Sequence, residues 1–217
     1  MSKYKRIIIF LVLLMSLAGF SFGEAFYSFT NGIFRLDEIF PNESFGRDHN
    51  GISFNFSVTY FPDKSFMGFF TQTSLGLISS GYEWDNYNLR ALSNRSFDFR
   101  FFAAPSFKVQ LGEKLRIPIS LGPVIKIFRE EGWSSLSDDD NFYEALGMGA
   151  FVDGALIFNP SRWFFFRQGV TVGGDFLHIE RGKMGSDLRG TSGPRFGIRK
   201  YGAFYGLIYF GIGIRVQ

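Results

Sequence analysis

Most long segments of this chain alternate between apolar and polar residues at every second position, which is the period of a β-strand. The alternation is clearest from Gly51 to Phe61. One face there carries Phe54, Phe56, Val58 and Tyr60, and the opposite face carries Ser53, Asn55, Ser57 and Thr59. Such a segment suits a strand with an apolar medium on one side and polar groups on the other, so the pattern predicts β-structure.

The same period predicts a series of further strands. The clear ones are residues 51–61, 67–78, 97–109, 115–127, 142–158, 163–176 and 204–216. Short segments with turn chemistry join some of them, at 61–65, 110–114 and 159–162. The other connections, at 37–50, 79–96, 129–141 and roughly 177–203, are long and polar, and they alternate in order with the short ones.

Two architectures are compatible with these strands, a soluble sandwich or lipocalin-like barrel and a barrel that spans an outer membrane. A soluble barrel turns its apolar face inward and needs a charged exterior. Here the second faces carry mainly Ser, Thr, Asn and Gly. Small polar side chains suit a narrow lumen, and hydrocarbon tolerates no open sheet edge. We therefore predict an all-β, antiparallel transmembrane barrel with up-and-down meander topology, and keep a periplasmic, lipocalin-like binder of apolar ligands as the alternative.

The strand count follows from the direction of the turns. Bacterial barrels have an even number of strands, and both chain ends lie on the periplasmic side with the short turns. A strand must then precede residues 51–61, and Phe26–Leu36 is the candidate, although its alternation is poor. Thr191–Tyr201 is assigned to the last outer loop, because counting it would give nine strands. The prediction is an eight-stranded barrel, with Trp84, Trp133 and Trp163 marking two aromatic girdles.

The N-terminus has the three-part layout of a secretory signal. Lys3, Lys5 and Arg6 precede an uncharged run of 16 residues, Ile7–Phe22, which is shorter than the ~20 residues of a spanning helix. Cleavage after Gly23 is favoured, and cleavage after Ala25 also fits the small-residue rule. A retained anchor helix is the alternative. We expect a signal peptide at 1–23, a barrel at 24–217 and export to the outer membrane of a two-membrane bacterium.

Composition and charge exclude several classes of function. The 217 residues include 30 Phe and no Cys, so disulfides and thiolate chemistry are impossible. Without the signal, 20 basic and 20 acidic residues remain. The basic character of the whole chain therefore does not indicate nucleic-acid binding.

A signal followed by eight such strands resembles the small outer-membrane barrels, a family that includes OmpA-, OmpX- and OmpW-type proteins and a few lipid-modifying enzymes. The resemblance is architectural and rests on period, turns and strand number over residues 26–217. It implies contact with outer-membrane lipids and insertion by the barrel-assembly machinery. Members of the family commonly end in an aromatic residue, whereas this chain ends Ile214-Arg215-Val216-Gln217.

Charged residues on the second faces are predicted to line the lumen. They are six basic and three acidic residues: Arg100, Lys108, Arg116, Lys126, Arg167 and Arg215, with Asp98, Asp153 and Asp175. Eight strands leave room only for side chains. One interpretation is a closed plug of matched charges. The other is a narrow pathway for small anions, which the excess of three positive charges favours.

The outer loops are the second candidate region. Residues 129–141 are acidic and include Asp138, Asp139 and Asp140, whereas residues 177–202 are mainly basic. The acidic loop could hold a divalent cation, contact the basic loop or be solvated, and the spacing matches no calcium-binding motif. We predict solvation, and therefore neither a metal site nor a cofactor.

Catalytic motifs are missing from the sequence. His49 in the first outer loop and His178 near the top of the seventh strand are the only histidines. No Gly-x-Ser-x-Gly or His-Glu-x-x-His accompanies them. We predict a non-enzymatic structural or surface-interaction protein whose long outer loops meet extracellular ligands. A narrow channel for small solutes and a lipid-modifying enzyme are the alternatives.

Overall fold

A computed structural model describes the backbone of most of the chain after residue 22. The described residues are 23–40, 45–85, 89–92, 94–134, 137–183, 195–199 and 202–217. Side chains are described within 23–37, 49–77, 97–129, 146–177 and 203–217. The predicted signal peptide lies outside these ranges.

Ten β-strands account for nearly all of the described backbone. They are β1 (Gly23–Phe40), β2 (Phe45–Pro62), β3 (Met67–Asp85), β4 (Leu89–Leu92), β5 (Asn94–Leu111), β6 (Leu115–Ser134), β7 (Ser137–Phe158), β8 (Phe164–Lys183), β9 (Arg195–Arg199) and β10 (Gly202–Val216). The part of the chain that the structure describes contains no candidate for a membrane-spanning helix.

Eight of these strands close into an antiparallel barrel. Neighbours in sequence pair with each other, and β10 pairs with both β8 and β1, which completes the ring. The two short strands lie outside this ring. β4 pairs with Gly81–Trp84 of β3, and β9 pairs with His178–Gly182 of β8. The prediction of an eight-stranded meander is confirmed, including a first strand that contains Phe26–Leu36. The assignment of Thr191–Tyr201 to a loop is wrong for Arg195–Arg199, which forms β9, although β9 does not join the barrel as a ninth strand.

The barrel is apolar on the outside and polar on much of the inside. On β2, Phe54 is 47% exposed while the next residue, Asn55, is 3% exposed. The same contrast separates Ile208 at 63% from Tyr209 at 1% on β10. A soluble lipocalin-like barrel would have the opposite arrangement. The exposed apolar side chains need a hydrocarbon environment, so the orientation is that of a transmembrane barrel.

The strands extend further than the alternation predicted. A transmembrane strand needs about 9–11 residues, whereas β7 has 22 and β6 has 20. Three tight turns fix one end of the barrel, which we call the turn end, so the additional residues lie at the opposite, far end. The predicted loop 37–50 is wrong in extent, because β1 continues to Phe40 and β2 begins at Phe45. The other three predicted loops are shortened in the same way, since backbone pairing continues where the sequence is polar on both faces.

Candidate functional site inside the barrel

All nine charged residues predicted to line the lumen lie on the inner faces of their strands. Seven are buried, and the other two, Lys108 and Arg215, have side chains that are 12% exposed. They do not form one continuous charged path. The structure divides them into three ion pairs within the barrel and one group at the turn end.

The first ion pair, between Arg167 and Asp153, belongs to a closed hydrogen-bond network in the middle of the barrel. Arg167 Nη2 lies 3.0 Å from Asp153 Oδ2, and Arg167 Nη1 donates to Thr59 Oγ1 at 2.9 Å. The other oxygen of Asp153 accepts hydrogen bonds from Thr171 Oγ1 at 2.7 Å and from Tyr209 Oη at 2.8 Å. Both charged side chains are 0% exposed. A buried ion pair is tolerated when its remaining donors and acceptors are satisfied in this way.

Two further ion pairs lie nearer the far end. Arg100 binds Asp98 through two nitrogens, with Nη2 at 2.7 Å and Nε at 3.0 Å from the carboxylate. Its guanidinium carbon also lies 3.8 Å from the ring centre of Tyr205. Lys126 Nζ lies 2.7 Å from Asp175 Oδ2, and the side chains are 0% and 1% exposed. These pairs match each positive charge with a negative one.

Aromatic side chains fill the space between the ionic layers. Phe151 packs on Phe102 with ring centres 4.9 Å apart and on Phe70 at 6.0 Å. The ring centre of Phe70 in turn lies 5.2 Å from the guanidinium carbon of Arg167, and the ring centres of Tyr205 and Phe102 are 6.1 Å apart. A cavity of about 10 Å³ beside Arg100 and Tyr205 has room for roughly one water molecule. The lumen is therefore packed with side chains at several levels.

A different arrangement occupies the turn end, where three cations surround one carboxylate. Glu24 Oε1 accepts hydrogen bonds from Arg215 Nη2 at 2.5 Å and from Arg116 Nη2 at 3.3 Å. Lys108 Nζ lies 4.0 Å from Glu24 Oε2. Phe26 forms an apolar wall, with the guanidinium carbons of Arg116 and Arg215 at 5.4 and 5.9 Å from its ring centre. We call Glu24, Lys108, Arg116 and Arg215 the turn-end cluster.

Glu24 is a lumen residue that the sequence analysis missed. The inner face of β1 includes Phe26, Ser28 and Thr30, which are all buried. Extending this alternation backward by one step places Glu24 on the same face. The alternation that would have identified Glu24 was present in the sequence but weak. Phe26–Leu36 mixes apolar and polar residues on both faces, and Glu24 lies beside the predicted cleavage sites.

The location of His49 corrects a prediction. It lies within β2, opposite Leu36 and Gly81, and not in an outer loop. It is 1% exposed, and its ring centre lies 5.4 Å from that of Phe128. The inner face of β2 continues beyond Gly51, so His49 points into the barrel.

The other loop candidates lie outside the described side chains. These are His178 and the acidic residues of 129–141, including Asp138, Asp139 and Asp140. Their backbone positions are described: Asp140 is opposite Trp133 in the β6–β7 hairpin, and His178 is opposite Gly147. The acidic and basic segments thus begin on neighbouring strands, with Glu144 of β7 opposite Arg181 of β8.

Solved structures share this barrel. The outer membrane protein OprG from Pseudomonas aeruginosa superimposes with a TM-score of 0.61 over 92% of this chain and 98% of its own, at 10% sequence identity. The chain folds as a small outer-membrane β-barrel. A major outer membrane protein from Thermus thermophilus gives a TM-score of 0.56 over 86% of this chain and 99% of its own, at 9% identity. No family model matches the sequence, and no curated protein matches it. At these identities, what the chain shares with other outer-membrane barrels is the fold.

Proposed function

We propose that this protein is a closed outer-membrane barrel that serves as a structural scaffold and presents its far end for interactions at the cell surface. The observation that carries the proposal is the absence of water-accessible surface on Arg167, Asp153 and Lys126, each of which is 0% exposed. An open aqueous pore would hydrate such charges.

The filling of the lumen supports the scaffold role at more than one level. Two pairs of serines also bond inside the barrel. Ser28 Oγ of β1 lies 2.6 Å from Ser57 Oγ of β2, and Ser120 Oγ of β6 donates to Ser106 Oγ of β5 at 3.0 Å. All four serines are 1% exposed or less. Bonds of this kind join the inner faces of neighbouring strands and stiffen the barrel wall.

The long strands support a role at the surface. A strand of 22 residues is about 70 Å long at ~3.3 Å per residue. Tilted by about 45°, it still spans about 50 Å along the barrel axis, which exceeds the ~30 Å hydrocarbon core. In an outer membrane the turn end faces the periplasm, so the far ends project outward. Paired strands hold a binding surface more rigidly than irregular loops do.

The surface role is tested by shortening the β6–β7 hairpin at the far end. Arg129 and Glu144 are register partners on β6 and β7, so residues 130–143 are replaced by Asn-Gly, which closes a two-residue hairpin. We expect the variant to fold and to retain a heat-dependent shift on a detergent gel. We also expect cells that express the full chain to adhere more strongly than cells without it, and cells that express the variant to lose this adhesion. Unchanged adhesion would refute a role for this hairpin.

A narrow anion channel is the second candidate, favoured by the excess of positive charge inside the barrel. Recordings in planar bilayers separate the two functions. A closed scaffold gives no stepwise conductance. A channel gives conductance with anion selectivity, and that conductance disappears when Arg100, Arg116 and Arg167 are neutralised.

Export and processing are also proposals. We propose a signal peptide at 1–23, cleaved after Gly23, insertion by the barrel-assembly machinery and residence among outer-membrane lipids. Cleavage after Ala25 would remove Glu24 and leave Arg116, Arg215 and Lys108 without their shared carboxylate. Membrane fractionation followed by intact-mass measurement tests this: the expected chain begins at Glu24, and a chain that begins at Phe26 would refute it.

A further inference from the structure

Among the residues whose side chains the structure describes, the unmatched positive charge inside the barrel is concentrated at the turn end. The three other ion pairs are matched one to one, through Asp98, Asp153 and Asp175. The turn-end cluster has three cations and one carboxylate, and therefore a net charge of about two positive units. Its side chains are 5–21% exposed, so it opens toward solvent while remaining largely dehydrated.

Several donors in the cluster have no partner among the described residues. They are Nε and Nη1 of Arg116 and Nε of Arg215. Arg116 is only 4% exposed, and a buried guanidinium with unused N–H groups is unfavourable. The carboxylate of Glu24 accepts hydrogen bonds from Arg116 and Arg215 only through Oε1. Its other oxygen, Oε2, also has no hydrogen-bond partner among the described residues, so Glu24 does not satisfy these donors.

We propose that the turn-end cluster is a binding site for a phosphate group. Near neutral pH a phosphate group carries one negative charge as a diester and between one and two as a monoester, which offsets part or most of the excess charge of the cluster. Its oxygens accept several hydrogen bonds at once, as the planar fork of an arginine requires. Phe26 and Phe61 form the apolar wall, with Lys108 Nζ 4.8 Å from the ring centre of Phe61. This low-dielectric wall strengthens the attraction.

Glu24 has a specific role in this site. It is the internal anion that holds Arg116 and Arg215 in place, and it competes with an incoming phosphate for the same donors. Removing its charge should therefore strengthen phosphate binding, whereas removing either arginine should weaken it. An unspecific loss of structure would weaken binding in all three variants.

Two sources of phosphate share this chemistry. A soluble phosphate ester would approach from the aqueous side of the turn end, and a phospholipid headgroup would fold inward from the adjacent leaflet. The orientation toward the periplasm rests on the proposed function, whereas the site itself does not. Phosphate binding and conductance are measured separately, so failure of one proposal is distinguishable from failure of the other.

The test begins with the folded, full exported chain in octyl glucoside micelles, which contain no phosphate. Inorganic phosphate is titrated by calorimetry into wild type, Arg116→Gln, Arg215→Gln and Glu24→Gln. Arg162→Gln is the matched control, because Arg162 is exposed in the turn between β7 and β8 at the same end. Each variant is first shown to keep the heat-dependent gel shift of the folded barrel.

We expect each arginine substitution in the cluster to weaken binding by about tenfold or more, since hydrogen bonds to charged groups contribute at least that much. Glu24→Gln is expected to bind several-fold more tightly, and Arg162→Gln to match wild type. No binding by wild type, or equal losses in Arg162→Gln and Arg116→Gln, would overturn the proposal.

A second arm identifies the source. The titration is repeated in nanodiscs of phosphatidylcholine, which has a phosphodiester but no net surface charge, and in nanodiscs of a galactolipid that lacks phosphate. Weaker binding of inorganic phosphate in phosphatidylcholine alone supports the site and assigns it to a headgroup. Equal binding in both supports the site and assigns it to a soluble ester.

Discussion

The ion pair between Arg167 and Asp153 provides the sharpest test of a closed lumen. Both side chains are 0% exposed, and Asp153 accepts three hydrogen bonds, from Arg167, Thr171 and Tyr209. Asp153→Asn keeps the volume but leaves the guanidinium charge without a counter-ion. Removing one partner of a buried pair costs about 3–5 kcal/mol, because the remaining charge is desolvated and unpaired.

The double variant isolates the interaction between the two charges. Arg167→Met alone leaves the carboxylate without its cation and is expected to cost about as much as Asp153→Asn. Combining them removes both charges, so the double variant is expected to cost less than either single one. The resulting coupling is then at least about 3 kcal/mol, at the top of the range for residues in direct contact.

The assay is reversible unfolding in urea in phosphatidylcholine vesicles, followed by tryptophan fluorescence and by gel mobility. Arg162→Gln is the control, because Arg162 is exposed in the tight turn between β7 and β8, and surface substitutions usually change stability by less than about 0.5 kcal/mol. Single variants of Arg167 and Asp153 that cost less than about 1 kcal/mol and combine additively would show that water solvates these charges. That result would refute the closed lumen.

Three further predictions concern packing, lipid exposure and catalysis. Gly169→Ala and Gly173→Ala are expected to lower the free energy of unfolding by about 1–3 kcal/mol. The added methyl groups would overlap the rings of Tyr209 and Tyr205, respectively. Gly154→Ala is the control, because the space around Gly154 is open. Ile208 is 63% exposed on the outer face near the middle of β10, where we expect the bilayer midplane, and Val216 lies at the turn end near the interface. Ile208→Arg is expected to cost about 2–4 kcal/mol in a bilayer and Val216→Arg only ~0–1 kcal/mol; equal costs would contradict these membrane depths. His49→Ala is expected to leave lipid turnover by outer-membrane preparations unchanged, because a histidine that is 1% exposed cannot reach a lipid substrate, and a loss of turnover would favour the enzyme.

The sequence predicted the fold best where one face of a strand meets lipid. Residues 52–60 alternate strictly because hydrocarbon lies on one side and small polar groups lie on the other. The strand that contains Phe26–Leu36 alternates poorly because Phe26, Phe34 and Leu36 pack inside the barrel, while Asn31 and Arg35 face outward. Near the far end the periodic signal fades, although β1 and β2 still pair as far as Phe40 and Phe45.

The inner packing was the least predictable feature. The second faces were interpreted as small or polar, but Phe70, Phe102 and Phe151 also point inward and are each 1% exposed. A phenylalanine that faces the lumen and one that faces lipid are the same residue type, so the composition of a strand does not distinguish them. Part of the large phenylalanine content therefore belongs to the core, and only the strand register separates the two groups.

The distribution of charge along the barrel axis decides between a pathway and a site, and the sum of charges does not. Lys108, Arg116 and Arg215 all lie within a few residues of a tight turn or of the end of β10. Once the turns were assigned, the sequence therefore predicted their position along the barrel axis. Arg167, by contrast, is matched by Asp153 from the neighbouring strand at mid-height. An anion drawn into the turn end would meet a neutral, aromatic and fully hydrogen-bonded layer above it. Such a potential retains an anion at the entrance and opposes its passage, so the same excess of charge that suggested a channel favours a binding site.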